Sequence, residues 1–168
     1  MLFQEQLITS FKQYSEAIYN YVFFRVNRSK EIAEDLTQEV FLKAWQNREK
    51  FEEQKSQLKT WLFVIARNTV IDYYRKNKNI LPIFDKGEVA KVSELEAVED
   101  KILAEDILQR IAELADEERD ILILRYFEDF ELKEIAVIIN KNYSATKVLV
   151  FRSLKKLKNL LTHGSNKR

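Results

Sequence analysis

The sequence contains no cysteine, and its one histidine, His163, lies near the end of the chain. These absences exclude disulfides, thiolate metal sites and a histidine-rich metal site, so we expect no cofactor. Glycine and proline are also scarce, with two and one among 168 residues. All-β folds need such residues at their many turns, whereas the abundant Leu, Ile, Lys, Glu and Ala favour helices. The composition therefore predicts an all-α protein.

A long apolar run is also missing. No stretch of the chain approaches the roughly 20 apolar residues that a membrane span requires. The segment from Met1 to Ser10 carries Glu5 and no basic residue before its apolar positions, unlike a secretory signal. We therefore expect a cytoplasmic protein with no membrane insertion.

The net charge of +1 conceals a segregation of charge along the chain. The end of the chain, from Lys141 to Arg168, has eight Lys or Arg and no acid. The preceding region from Asp85 to Asp120 has thirteen acids against five bases. Such segregation suits a molecule with one surface for phosphates and other surfaces for a protein partner.

Apolar residues recur at helical spacing along most of the chain. The predicted helices span residues 2–25, 30–50, 58–78, 95–114, 116–127, 131–139 and 143–161. Ser29 is placed to cap the second of these helices. Pro82 and Gly87 fall in a stretch without a steady apolar period, which interrupts the pattern. We therefore predict two small helical bundles and a flexible linker, at residues 1–78, 98–168 and 79–97 respectively.

The last two predicted helices have the pattern of a helix-turn-helix. The apolar residues of the first share one face: Leu132, Ile135, Ile138 and Ile139. The small Ala136 on this helix allows a second helix to cross closely. In the turn, Asn140 tolerates the left-handed backbone conformation, and Asn142 can cap the next helix with its side chain.

The last helix has one face for packing and an opposite face rich in cations. The packing face carries Thr146, Leu149, Val150, Ser153, Leu157 and Leu160, and the opposite face carries Lys147, Val148, Phe151, Arg152 and Lys155. A basic amphipathic helix is often only a solvated surface. An aromatic residue on that face is costly to leave in water and can contact a thymine methyl. The pattern favours a recognition helix in the major groove, a motif that many regulators share.

The second helix also has two faces. One is a core-facing stripe of Ala33, Leu36, Val40 and Ala44, and the other carries Asp35, Gln38, Leu42 and Trp45. A lone Trp is usually buried, but an acid and an amide beside Trp45 make a protein-binding surface equally plausible. Both interpretations of this face stay open.

The third helix mixes polar, cationic and aromatic groups. One face carries Trp61, Asn68, Asp72 and Arg75, with Arg67 beside them. Asn and Arg can read base edges or bind phosphates, whereas Asp72 more plausibly orients Arg75. A simple salt bridge at the helix end is the alternative. Aromatic residues interleaved with cations suit an unstacked single strand.

Three segments of the chain resemble conserved parts of the extracytoplasmic-function sigma factors of bacteria. The runs EIAEDLTQEVFLKAWQ (Glu31 to Gln46) and TWLFVIARNTVIDYYRK (Thr60 to Lys76) resemble domain two of these proteins. The run from Leu114 to Lys158 resembles their domain four. This resemblance covers nearly the whole chain outside the linker. It implies a non-enzymatic initiation factor that directs core RNA polymerase to promoters by recognising their -35 and -10 elements and starting DNA melting.

The resemblance also implies roles for individual residues. Residues expected to bind the clamp helices of the polymerase largest subunit are Asp35, Gln38, Glu39, Phe41, Leu42 and Trp45. Residues expected at the melted -10 strand, including a connector that captures a flipped base, are Phe51, Lys59, Trp61, Arg67, Asn68, Asp72 and Arg75. Residues expected at the -35 duplex are Asn142, Tyr143, Ser144, Lys147, Val148, Phe151, Arg152 and Lys155. Further partners implied are the polymerase flap and an anti-sigma factor.

The sequence departs from the family pattern at a few positions. Asn140 and Thr146 stand where Gly and Val are common, and the Thr146 hydroxyl then needs a hydrogen-bond partner. Glu52 and Glu53 make the connector acidic.

Three other functions compete with that of a sigma factor. A helix-turn-helix repressor or activator would not need the mixed face from Asp35 to Trp45. A helical nuclease would need clustered acids for its metal, which neither predicted bundle contains. A structural adaptor would show no affinity for DNA.

Overall fold

The computed structural model describes residues 2–78 and 98–164 of the chain, and the predicted linker at 79–97 lies outside them. The α-helices are α1 (Leu2–Arg25), α2 (Lys30–Gln46), α3 (Leu58–Lys76), α4 (Val98–Ala112), α5 (Asp116–Leu122), α6 (Leu132–Ile138) and α7 (Tyr143–Gly164). A 3₁₀ turn, Arg48–Lys50, follows α2, and a π-helical turn, Ile123–Phe127, extends α5. The described residues contain no strand, and the all-α prediction is confirmed. Within these same residues, no helix combines the length and the apolar character needed to cross a bilayer.

Among the helices that end earlier than the apolar pattern predicts, α2 and α3 are each followed directly by an asparagine. The side-chain amide of Asn47 donates to the carbonyl of Lys43 at 2.8 Å, and that of Asn77 donates to Tyr73 at 2.8 Å. The backbone N–H of the same asparagine donates to the same carbonyl, at 2.9 Å for Asn47 and 3.0 Å for Asn77, so each asparagine closes its helix end with two hydrogen bonds. At the start of α2, Ser29 holds the N-cap position but its side chain makes no capping hydrogen bond, so the predicted cap is wrong in its chemistry.

Helices α1, α2 and α3 form an N-terminal bundle. The predicted stripe of α2 is buried in full, which confirms its core-facing assignment: Ala33, Leu36, Val40 and Ala44. From α1 and α3, Tyr21 and Phe63 are fully buried with their rings 5.4 Å apart. Burial of a side chain of this size contributes about 2 kcal/mol to folding.

Helices α4 to α7 form a C-terminal bundle. Its core includes Leu108, Ile121, Leu124, Ile135, Ile138 and Val150. The π-helical turn is closed by the Glu128 amide, which donates to the Ile123 carbonyl five residues earlier at 3.1 Å. Phe130 follows this turn and is 1% exposed.

The two bundles pack directly against each other. Phe24 of α1 meets Phe127 at a ring distance of 5.1 Å, and Phe63 of α3 meets Phe130 edge to face at 4.7 Å. Buried apolar residues of both bundles therefore belong to one continuous cluster.

A tight turn between α1 and α2 supplies polar links across this contact. Asn27 and Arg28 both have left-handed backbones, with φ of 54° and 64°. Arg28 contacts the carboxylate of Glu105 on α4 at 2.5 Å, and Asn27 accepts a 3.2 Å hydrogen bond from Arg119 on α5. Left-handed backbone is uncommon for Arg, and here it coincides with an ion pair between the bundles.

Candidate nucleic-acid and protein interfaces

The mixed face of α2 is exposed. Asp35 and Gln38 lie on the surface, Leu42 is 56% exposed and Trp45 is 40% exposed. Of the two interpretations left open, burial of Trp45 is therefore wrong. An exposed Trp and Leu beside polar groups have the composition of a protein-binding surface.

Two further predicted residues of α2 are held by neighbours. Glu39 is half-buried, and its carboxylate forms an ion pair with the Lys43 ammonium at 2.7 Å. Phe41 is half-buried under the ring of Phe11 on α1, with the ring centres 4.7 Å apart. Because Phe11 is 51% exposed and Ile8 is 59% exposed, the apolar surface continues from α2 onto α1. The sequence-based prediction did not include this extension, although the apolar residues at Ile8 and Phe11 are three apart, as on one helix face.

The connector between α2 and α3 is anchored by an aromatic pair. Phe51 and Trp61 are both half-buried, with ring centres 5.3 Å apart. A groove of about 490 Å³ runs between this connector and α1 and is lined by Tyr14, Phe51 and Leu58 among others. Both aromatic residues predicted at the -10 strand are therefore brought together.

The polar face of α3 is only partly exposed. Asn68 lies on the surface, and the Arg75 side chain is 68% exposed and pairs with Asp72 at 3.1 Å. Lys43 of α2 also approaches Asp72, at 3.8 Å. This geometry fits the prediction that Asp72 orients Arg75. It fits the salt-bridge alternative as well, and an exposed pair of this kind contributes little to stability.

Two residues of the same predicted set are covered by the C-terminal bundle. The Arg67 side chain is 15% exposed, and its Nε donates to Asp120 at 2.6 Å. The Lys59 ammonium donates to the Glu128 carbonyl at 3.1 Å and lies 4.3 Å from the centre of the Phe130 ring. The structure thus separates the covered cations Lys59 and Arg67 from the exposed Asn68 and Arg75.

Asp120 is the centre of this contact, and no sequence pattern singled it out. Its side chain is 1% exposed and accepts hydrogen bonds from the Tyr21 hydroxyl and Arg67 Nε, both at 2.6 Å. Arg25 Nε lies 3.4 Å away. Burial, together with the charge of Asp120, raises the pKa of Tyr21 well above its ordinary value. An acid directly before the apolar run from Ile121 to Leu124 was the available signal, since a buried carboxylate requires partners.

The turn before α7 has the predicted local geometry. Asn140 has a φ of 55°, and the Asn142 side chain caps α7 by accepting the Ala145 amide at 2.8 Å. The Thr146 hydroxyl, which needed a partner, donates to the Asn142 carbonyl at 2.9 Å. Both departures from the family pattern are therefore accommodated without an unpaired polar group.

The predicted recognition face of α7 is open to solvent. Phe151 is 69% exposed, Val148 55% and Tyr143 47%. Ser144, Lys147, Arg152 and Lys155 are exposed as well. The structure therefore brings together, on one accessible surface, all the residues predicted for the -35 duplex.

Acids of α5 engage two cations at the edges of this surface. Glu117 pairs with Lys141 at 3.0 Å, and Glu118 pairs with Lys156 at 2.9 Å. Burial raises the pKa of Glu118, but hydrogen bonds from Lys156 and the Ala115 amide outweigh it and lower the pKa below its ordinary value. These pairs hold α7, through Lys156, and the turn before it, through Lys141, against α5.

Comparison with known proteins points to one family. The family models of Sigma-70 region 2 and Sigma-70, region 4 match residues 11–80 and 104–157. The extracytoplasmic-function RNA polymerase sigma factor SigM of Bacillus subtilis is 30% identical over 158 residues, which cover 93% of this chain and 95% of SigM. The sigma factor BldN of Streptomyces coelicolor is 32% identical over 156 residues, which cover 90% of this chain but 58% of BldN.

A solved structure has a similar fold. It is that of the sigma factor RpoE in complex with the anti-sigma factor NepR from Bartonella quintana, with a TM-score of 0.76 and 23% identity. The alignment covers 94% of this chain and 98% of RpoE.

Proposed function

Since this chain belongs to the extracytoplasmic-function sigma factors of the sigma-70 family, we propose that it docks on core polymerase through α2 and reads promoters with two DNA-binding surfaces. Sigma factors are promoter-specific initiation factors and not enzymes, so phosphodiester chemistry belongs to the polymerase. The observation that carries the proposal is the simultaneous exposure of the α2 face and the α7 face, although the two bundles pack tightly together.

The docking surface is the outer face of α2. Asp35 and Gln38 supply polar contacts, and Leu42 and Trp45 supply the apolar centre that a stable protein interface needs. The partner is the pair of clamp helices of the polymerase largest subunit. Docking places the factor in the cytoplasm with the polymerase.

Recognition of the -35 element belongs to α7. Lys147, Arg152 and Lys155 contact phosphates and base edges in the major groove, while Val148 and Phe151 contact thymine methyl groups. Phosphate contacts supply salt-sensitive affinity, and the base contacts select the sequence. Asn142, Tyr143 and Ser144 at the start of α7 lie nearest to the backbone of the duplex, where amide groups of a helix start bind phosphate.

Recognition of the -10 element belongs to the connector and α3. Aromatic pairs such as Phe51 and Trp61 offer a surface on which an unstacked base can stack. Asn68 and Arg75, oriented by Asp72, and the cations Lys59 and Arg67 bind the displaced strand. Because duplex DNA does not present a flipped base, binding of that base offsets part of the unpairing energy and promotes melting.

An anti-sigma factor is the proposed regulator. The structurally similar RpoE was solved in complex with the anti-sigma factor NepR, and CnrH, with a TM-score of 0.70, in complex with the cytosolic domain of CnrY. We therefore expect a comparable inhibitor for this chain, with the polymerase flap as a further partner of the C-terminal bundle.

The proposal is tested by transcription with bacterial core polymerase on a pool of templates with varied -35 and -10 sequences. Transcripts that start at defined sites only in the presence of this protein support it. The Trp45→Ala variant should lose polymerase binding, and the Phe151→Ala variant should bind polymerase but lose selection at -35. The matched control is the Val137→Ala variant. Val137 is an exposed apolar residue of α6 that lies outside both surfaces.

Two outcomes would contradict the proposal. If core polymerase neither binds the protein nor changes its start sites, the docking face is misassigned. If polymerase binding survives alanine at both Asp35 and Trp45, a repressor or activator that works without this docking becomes the better interpretation.

A further inference from the structure

The side of α7 that faces away from the bundle is apolar at its centre. The packed side of the helix is marked by its buried residues: Thr146, Val150 and Ser153. At about 100° per residue, Val148 and Phe151 both lie within about 50° of the direction opposite to that side. They are 55% and 69% exposed. Two apolar side chains are therefore placed where a helix in the major groove meets the edges of the bases.

Exposed cations flank this apolar pair on both sides. Lys147 and Lys158 lie on one flank of the helix, and Arg152 lies on the other. A helix in the major groove has one phosphate backbone on each side and the base edges between them. The cations are therefore placed to contact the two backbones, and the apolar pair is placed to contact the bases.

The chemistry of the pair limits what it can read. Ser144 and Lys155 continue the outward line beyond the pair, and both carry hydrogen-bonding groups, whereas the side chains of Val148 and Phe151 carry none. The pair therefore cannot distinguish bases by their donors and acceptors. The group in the major groove that does complement an apolar side chain is the C5 methyl group of thymine.

The spacing of the pair fits two neighbouring methyl groups. Residues three apart on a helix are separated by about 4.5 Å along its axis. Successive bases of one DNA strand are separated by about 3.4 Å along the duplex. Val148 and Phe151 can therefore contact pyrimidines at two neighbouring base pairs at the same time.

We propose that Val148 and Phe151 select the -35 element by the C5 methyl groups of two neighbouring pyrimidines, so that 5-methylcytosine is accepted in place of thymine. This inference rests on the proposed role of α7 at the -35 duplex. It assigns two specificity-determining residues and the chemical group that they read. A promoter with cytosine at this position is then transcribed more strongly when that cytosine is methylated at C5.

The test uses holoenzyme assembled from core polymerase and the full chain. Three template pools carry a randomised -35 segment, and a barcode in the transcribed region identifies the template of each transcript. The pyrimidines of the segment are thymine and cytosine in the first pool, uracil and cytosine in the second, and thymine and 5-methylcytosine in the third. Uracil keeps the donors and acceptors of thymine and lacks only its methyl group.

We expect templates with two neighbouring thymines to dominate the transcripts of the first pool. Uracil at these positions should lower transcription by about fourfold for one methyl group and by about fifteenfold for two, the effect of losing buried apolar carbon atoms. 5-Methylcytosine should be transcribed about fourfold better than cytosine at each position. Equal transcription from thymine and uracil templates would overturn the proposal.

Variants of α7 show whether the pair itself reads the methyl group. Val148→Ala and Phe151→Ala should each reduce the ratio of transcripts from thymine and uracil templates toward one. Lys147→Ala, at a flanking cation, is the matched control and should lower transcription from both templates while keeping their ratio. If Phe151→Ala gives too few transcripts to compare, Val148→Ala decides the outcome. A wild-type ratio in Val148→Ala would then overturn the role of the pair.

The two proposals fail in different ways. If no pool gives transcripts with defined starts, the proposed -35 role and the inference built on it are both wrong. If starts are defined but thymine and uracil are equivalent, α7 reads hydrogen-bonding groups or DNA shape, and only the methyl rule is wrong. If Phe151→Ala weakens binding to core polymerase in the absence of DNA, the pair belongs to a protein interface, which also overturns the inference.

Discussion

The two surfaces proposed to contact DNA differ in how they are built. The α7 surface depends on its own turn: Asn142 caps the helix, Asn140 turns the chain and all its predicted residues face solvent. The α3 surface depends on the rest of the molecule, since Arg67 is held by Asp120, 53 positions away along the chain. The exposure of the α7 residues therefore does not depend on how the two bundles are arranged. The exposure of the α3 residues does.

The largest effect is expected from removing the carboxylate that covers α3. Asp120→Ala leaves Arg25 and Arg67 without their buried counter-charge, so we expect the free energy of unfolding to fall by about 3 kcal/mol. Urea unfolding monitored by circular dichroism measures this loss. Asp129→Asn, at an exposed acid of the same bundle whose left-handed backbone (φ 57°) Asn tolerates, should change stability by less than about 0.5 kcal/mol. Equal effects of the two changes would show that closure does not depend on Asp120.

Tyr21→Phe weakens the same contact less, because it removes one hydrogen bond to a charged group. We expect a loss of about 1.5 kcal/mol at neutral pH. The raised pKa of Tyr21 means that the hydroxyl stabilises the fold below about pH 10, the ordinary tyrosine value, and that this stabilisation disappears as pH rises further. Urea titrations at neutral and alkaline pH should therefore show a weaker alkaline loss in Tyr21→Phe than in wild type. Tyr126→Phe, at a tyrosine that is 52% exposed, is the control and should keep the wild-type pH profile.

On the α7 surface, Arg152→Ala removes one cation of the recognition face. Because this residue is exposed in the closed chain, its loss should lower promoter-dependent transcription by about tenfold, the usual effect of losing a base or phosphate contact. It should not change the distance between the two bundles. Lys158→Ala, further along the same helix, serves as the matched cation. An equal loss in both variants would indicate general electrostatic attraction and not a defined recognition face.

The smallest effect is expected from the cap of α7. Asn142→Ala removes the side-chain acceptor for the Ala145 amide and should cost about 1 kcal/mol of stability. Thermal unfolding measures it, with Ser144→Ala as the neighbouring control. Retention of full stability in Asn142→Ala would show that the packing of Thr146 and Val150 alone fixes the start of α7.

The same contrast explains how far the sequence could predict the structure. The α7 turn was predictable because the acceptor, the left-handed residue and the buried hydroxyl lie within a few positions of one another. The stripe of α2 from Ala33 to Ala44 was predictable because one helical period defines it.

The covered part of α3 was not predictable in this way. Helical periodicity places Arg67 beside Asn68 and Arg75 on a polar face, and no local pattern shows that a carboxylate from α5 reaches that face. Periodicity also did not decide whether Trp45 is buried or exposed. Only the packing of the three helices determines that it is exposed. At Ser29 the residue type indicated a cap, but the side chain makes no capping bond.

The π-helical turn from Ile123 to Phe127 has a consequence for how such proteins diverge. A turn of this kind is equivalent to one extra residue inserted into an α-helix. Deleting one residue there replaces the π turn with an α-helical turn and shortens the chain between α5 and Phe130 by one residue. Phe127 and Phe130 then cannot both keep their places against Phe24 and Phe63. A loss of a single codon would thus change the resting conformation of the chain while leaving the sequences of α2 and α7 untouched. A relative without this turn would therefore pack its two bundles differently while keeping the same docking and recognition helices.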